Sequence, residues 1–186
     1  MPSRLSGGDK PRPYLTSGTS HSNRPPSLGH ETRALLRQYH LLPKRGLGQS
    51  FLVAPAVRDL ILHAAEVEPQ DLVVEIGPGT GVLTEGLAER AGWLMAIERD
   101  PGLHRLLADR LRDRPRVSLI CDDALGFDFV NVLGEMFPGH KQAKLVSNLP
   151  YSVATPLILQ LIPLRRCFSF LLVMVNVMIV ITIKRI

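Results

Sequence analysis

The sequence predicts an α/β fold built on a mostly parallel sheet, and three observations lead there. From residue 54 onward, short apolar runs alternate with amphipathic segments of helical length, the pattern of strands joined by right-handed crossovers. The first apolar run, Leu72–Ile76, passes directly into the loop Gly77-Pro78-Gly79-Thr80-Gly81. Acidic residues stand at the ends of three successive runs, at Glu75, Glu98 and Asp122-Asp123.

The chain has 186 residues, enough for one domain, and its 45% apolar content allows a buried core. The formal net charge of +5 is unevenly spread: residues 1–50 carry eight Lys/Arg against two acids. A basic arm ahead of a mildly acidic body fits a polyanionic partner, and equally a solubilising tail. Residues 1–30 are rich in Pro, Gly, Ser and Thr without apolar periodicity, so disorder is expected there. No secretory signal is expected, and five prolines before residue 27 oppose an amphipathic targeting helix. Cys121 and Cys167 have no metal-ligand or pairing spacing and are expected as small core residues of a reducing compartment.

Order is expected to begin with a short helix over Glu31–His40. Ala54–Val67 follows as a helix, with Val57, Leu60, Ile61, Ala64 and Ala65 on its inner face and Pro55 in its first turn. Leu72–Ile76 is a buried strand and Val82–Ala91 a helix. Trp93–Glu98, Pro101–Arg112 and Val117–Cys121 continue as strand, helix and strand. Lys144–Asn148 is a fourth strand, and Thr155–Ile162 a helix started by Pro156.

The glycine loop is spaced Gly-x-Gly-x-Gly, unlike the Gly-x-Gly-x-x-Gly of dinucleotide binders. Gly77 and Gly79 lack Cβ, so backbone can pass close to a ligand. Glu75 beside the loop suits a cationic, phosphate-free ligand such as the sulfonium cofactor S-adenosylmethionine. Glu98, ending the second strand, can accept from both hydroxyls of a ribose. Asp123, after the third, can accept from an adenine amine. Alone, each acid is an ordinary loop residue; together they line the crevice where open α/β sheets bind ligands.

Asn148-Leu149-Pro150-Tyr151 follows the fourth strand. The Asn148 oxygen and a neighbouring backbone carbonyl can accept both protons of a planar exocyclic amine, turning its lone pair toward a methyl donor. Tyr151 offers a face on which an unstacked base can lie, and Pro150 stiffens the turn.

These motifs resemble the ribosomal-RNA adenine N6,N6-dimethyltransferases of the KsgA type, with the Erm resistance methyltransferases as relatives. The resemblance runs from Lys44 to Ile162. It rests on Gly48-Gln49-Ser50-Phe51-Leu52, Glu75–Gly81, Ile97-Glu98, Asp123-Ala124-Leu125, and Asn148–Tyr151 with Thr155-Pro156. It implies a Rossmann-like S-adenosylmethionine-dependent methyltransferase fold over residues 31–175. It places the cofactor against Ser50, Leu52, Gly77, Gly79, Glu98, Asp123 and Asn148. The catalytic tip would be Asn148, Pro150 and Tyr151, acting on adenine N6 in small-subunit ribosomal RNA. The implied partner is ribosomal RNA or the immature small subunit, met by the arm and Lys44-Arg45; no metal or membrane is expected. A monomeric, cytoplasmic protein is expected.

Two departures stand out. Ser50 occupies a position where the family has Asn. After Leu171–Val175, which resembles the family's fifth strand, a Gln-Lys-Glu-Val-Ala-like segment, further strands and a helical RNA-gripping domain are expected, but residues 176–186 form a divergent apolar tail. The sheet is therefore expected to be incomplete at its C-terminal end. The charge-free run Phe168–Ile183 reads as the tail of a truncated form, as a strand pair, or as a tail anchor too short for the usual ~20 residues. Three functions stay open: dimethylation of rRNA adenines, an inactive cofactor- or RNA-binding module, and methylation of another amine.

Overall fold

The computed structural model describes residues 27–42, 51–175 and 179–184. Six strands form one sheet in the order β3-β2-β1-β4-β5-β6. They are β1 (Leu72–Ile76), β2 (Trp93–Glu98), β3 (Val117–Cys121), β4 (Ala143–Leu149), β5 (Phe168–Val175) and β6 (Ile179–Lys184). The first five are mutually parallel, and β6 returns antiparallel to β5. Strand order reverses between β1 and β4, the place where open sheets of this kind leave a ligand crevice.

Helices α2 (Pro55–Ala64) and α3 (Val82–Ala88) join one core around Ile61, Val73, Leu87, Leu94 and Leu172. Helices α5 (Phe129–Met136) and α6 (Tyr151–Leu161) join another around Phe129, Leu145, Leu157 and Phe168. Helix α4 (Pro101–Arg110) packs Leu106 and Leu107 with α1 (Leu28–Gln38), whose Leu35 lies against them. The central strands are buried along their length because helices cover both faces, which is why β1 reads as an apolar run broken only by the buried Glu75. Phe127, Phe129 and Phe168 meet edge to face, with ring centroids 4.9 and 5.6 Å apart.

Several expectations change. Helix α6 begins at Tyr151, four residues before the expected start, and Pro156 lies inside it. The Pro150 carbonyl accepts from Val153 and Ala154, so the helix starts as the Pro-Tyr turn ends. Pro156 is tolerated because the Ser152 carbonyl it leaves without an N–H is on an exposed turn. Leu60, expected on the inner face, is 54% exposed and Leu62 is buried in its place, while Ile61 and Ala65 are buried as expected. Cys121 is exposed and Cys167 half-buried, so neither is a core residue; Cys121 ends the edge strand β3, which has a neighbouring strand on one side only. Helix α5 has no counterpart in the sequence reading. Its Asp128 cap, accepting from Asn131 N at 3.1 Å, is the signal that could have found it. Helix α1 starts at Leu28, with the Ser27 side chain as its N-cap. The boundary drawn at residue 175 divides a β-hairpin, since Ile179–Lys184 pairs with β5. The basic arm over residues 1–26 lies outside the described residues.

Candidate cofactor and target site

The crevice forms where β1 and β4 part. Their ladder covers only Val73–Lys144 and Val74–Leu145. Beyond it, the buried Ser147 hydroxyl accepts from Ile76 N at 2.9 Å, replacing a ladder bond. The side chain thus holds the two strand tips in register while their backbones separate. Nothing in the sequence marks Ser147 as special.

The glycine loop turns here. Gly77, Gly79 and Gly81 have φ of +65°, +62° and +89°, a region that side chains with a Cβ disfavour. A Cβ on Gly77 would come 3.3 Å from Leu149, and one on Gly79 would come 3.3 Å from Phe51. Both glycines therefore leave space that the crevice uses. Glu98 braces the loop from the next strand: one carboxylate oxygen accepts from Gly79 N at 3.1 Å, the other from Asp100 N at 2.9 Å. Each oxygen retains a second lone pair for a ligand hydroxyl. Burial pushes the Glu98 carboxyl above its ordinary range, while the backbone donors of Asp100 and Gly79 pull it back.

Glu75 is buried under the loop, and its Oε2 has no hydrogen-bond partner among the described residues. Burial raises its pKa from an ordinary 4.5 to about 8; the nearby Thr84 hydroxyl opposes the rise and the Glu98 charge adds to it. An unpartnered buried carboxyl is costly unless something cationic or hydrogen-bonding meets it.

Asp123 is held at the tip after β3. One oxygen accepts from Leu125 N at 3.0 Å, and the other lies 3.3 Å from the Arg99 guanidinium. A main cavity gathers Gly77, Gly79, Glu98, Asp123, Asn148 and Pro150, with Phe51, Arg99 and Val153 also on its walls. A smaller adjoining one is lined by Leu52, Glu75, Gly77, Gly79, Thr80 and Asn148. Asn148 borders both. Tyr151 lines neither: it stands outside the mouth at 64% exposure. Ser50 lies outside the described residues, as does the Lys44-Arg45 pair. The sequence reading did not single out Phe51 or Arg99 for the crevice, because neither belongs to a strand-tip acid or glycine pattern.

Residues 42–182 match the family described as ribosomal RNA adenine dimethylase. The chain belongs to that family. A ribosomal RNA small subunit methyltransferase A from Pelotomaculum thermopropionicum is 42% identical over 149 residues, covering 77% of this chain and 50% of the relative. The solved 23S rRNA methyltransferase ErmE superposes with TM-score 0.58 at 25% identity, covering 68% of this chain and 48% of that one. A dimethyladenosine transferase from Plasmodium falciparum gives 0.57 at 26%, covering 68% and 43%. The chain spans about half the length of the curated relatives it matches. The fold described above is also that of a SAM-dependent (S-adenosylmethionine-dependent) O-methyltransferase from Thermotoga maritima, with TM-score 0.51 at 18% identity, covering 72% of this chain and 50% of that one.

The residues present fit that cofactor. The unpartnered Glu75 oxygen suits its cationic end, the cradle over Gly77 and Gly79 leaves it room, and Glu98 and Asp123 offer acceptors on the side where a nucleoside would lie. No cluster of residues able to hold a metal ion exists among the described residues. No helix among them is long and apolar enough to cross a membrane.

Proposed function

We propose that the chain binds S-adenosylmethionine in this crevice and serves methyl transfer to N6 of adenines in small-subunit ribosomal RNA. The observation that carries the reading is the shared cavity. It places Asn148 and Pro150 against the same space as Gly77, Gly79, Glu98 and Asp123. Bound there, the cofactor supplies an electrophilic methyl group on a sulfonium.

The chain's own residues do the rest by alignment. Glu98 receives the ribose hydroxyls and Asp123 the adenine amine of the cofactor. Leu52, which lines the smaller cavity together with Glu75, would hold the cofactor's amino-acid end. Asn148, with a neighbouring backbone carbonyl, accepts both N–H groups of the target amine and offsets the positive charge that develops on nitrogen. Pro150 fixes this tip. Tyr151, exposed at the mouth, offers its ring to the unstacked base before it enters. Ser50, at the family's Asn position, belongs to the same cofactor set by resemblance. The immature small ribosomal subunit is the proposed partner and the cytoplasm the proposed place; the chain acts as a monomer.

The test is methyl transfer from labelled cofactor to unmethylated small-subunit rRNA. Transfer is expected with the native chain, and Asn148→Ala is expected to lower it at least a hundredfold while keeping S-adenosylhomocysteine binding within about tenfold. Cofactor binding without transfer by the native chain would replace this reading with that of a cofactor-binding module.

A further inference from the structure

We propose that the RNA substrate lies across the β4–β5–β6 half of the sheet, along the outer face of α6 to a basic cluster at the far end, and avoids the β1–β3 half. This rests on the reading of an RNA methyltransferase given above and says how that substrate is held.

The first observation is a division of charge. Residues 51–128 hold eight Lys/Arg and fourteen Asp/Glu, whereas residues 129–186 hold six Lys/Arg and one acid, Glu135. Strand order makes this division spatial. The first segment builds β1, β2 and β3; the second builds β4, β5 and β6. The crevice lies on the seam. Glu75, Glu98 and Asp123 stand on the acidic side, suited to a cationic cofactor. Asn148 and Tyr151 stand on the other.

The second observation concerns which cations are available. On the acidic half, Arg58, Arg99, Arg110, Arg112 and Arg114 are each paired with a carboxylate, and the exposed Arg90, Arg105 and Arg116, which enter no ion pair among the described residues, stand in a segment with fourteen acids. On the other half, Lys144 is paired with Asp71 at 2.8 Å. Lys141, Arg165 and Arg166 are exposed and enter no ion pair among the described residues. Unpaired exposed cations can neutralise phosphates without first giving up a partner.

The third observation is their placement. Gln142 Nε2 donates to the carbonyls of Arg165 and Arg166 at 3.4 and 3.3 Å, and Ala143 N donates to Cys167 O at 2.7 Å. These bonds tie the loop before β4 to the turn before β5, so Lys141 and the arginine pair share one end of the sheet. β6 returns to that end, where Lys184 pairs in register with Phe170. Helix α6 connects this end to the crevice. It has eleven residues, about 16 Å of rise, and no charged side chain. Its exposed face carries Tyr151, Thr155, Pro156 and Leu159, and Ile162 follows just past its end, the two aliphatics at 64% and 52% exposure. A face without charge, leading from the base-stacking tyrosine to unpaired cations, suits an unstacked RNA strand: bases rest on it and phosphates end at the cluster.

The experiment is fluorescence anisotropy of a fluorescein-labelled RNA hairpin with unpaired adenosines in its loop, titrated with the full chain at several salt concentrations. One variant neutralises Lys141, Arg165 and Arg166 to Gln. A matched variant neutralises Arg105, Arg112 and Arg116 on the acidic half, with the same change in net charge. The first is expected to weaken binding tenfold or more at low salt and to reduce the slope of log K against log salt by about two to three. The matched variant is expected to keep the native slope. Leu159→Glu, which sets a negative charge midway along α6, is expected to weaken binding several-fold. Equal losses in the two triple variants, or none in the first, would overturn the proposal. Thermal melting and S-adenosylhomocysteine calorimetry on each variant report folding and the crevice. A native chain that binds RNA with this polarity but binds no cofactor would sink the methyltransferase reading alone.

Discussion

Replacing Glu75 with Gln tests the account of the loop most directly. The folded chain holds this carboxyl's pKa near 8, against 4.5 in an ordinary setting, because burial disfavours its charge. Below pH 4.5 both folded and unfolded chains carry the proton, and the group costs nothing. Between 4.5 and 8 the unfolded chain releases the proton while the folded chain keeps it, so stability falls as pH rises. Above about 8 both have released it and the loss is complete. A shift of this size corresponds to about 5 kcal/mol, of which roughly 3 kcal/mol has accrued by pH 7. That is a large share of the ~5–15 kcal/mol by which domains are usually stable. Gln keeps the shape and carries no titrating proton. Urea unfolding at pH 5, 7 and 9 should show native and E75Q chains alike at pH 5, with E75Q increasingly the more stable toward pH 9. Parallel profiles, offset by a constant amount, would refute the buried-carboxyl reasoning.

Two further outcomes follow from the same site. A cation brought beside the unpartnered Glu75 oxygen favours the ionised form, so S-adenosylmethionine binding at pH 7 should release up to about one proton; calorimetry in buffers of different ionisation enthalpy measures this, and identical heats would place the cation elsewhere. Ser147→Ala removes the only side chain bonding Ile76 N across the opened ladder, and should lower stability by about 1–3 kcal/mol in thermal or urea unfolding, with a matching weakening of cofactor binding; unchanged melting would count against the role assigned to it.

Much of this protein was legible before folding. The parallel strands were readable because strands covered on both faces are short and mostly apolar, and β1, β2 and β3 fall where the pattern placed them. Glu98 and Asp123 were readable because strand tips in such sheets share one crevice. Other features were hidden for physical reasons. The start of α6 depends on how the Pro150 carbonyl is used, which composition does not reveal. Which face α2 buries was misread at Leu60 because adjacent apolar residues blur a helical stripe.

The sequence by itself determined the glycine spacing, the acids at successive strand ends and the Asn-Leu-Pro-Tyr tip, since these depend on local backbone freedom and side-chain chemistry. Only the tertiary structure decided that one buried Glu75 oxygen is left without a partner among the described residues and that Ser147 spans the parted strands. It also decided that the chain's acidic and basic segments become opposite halves of one sheet. Those facts depend on which strands become neighbours, and strand order is set by packing across the whole domain, where no single segment of sequence can express it.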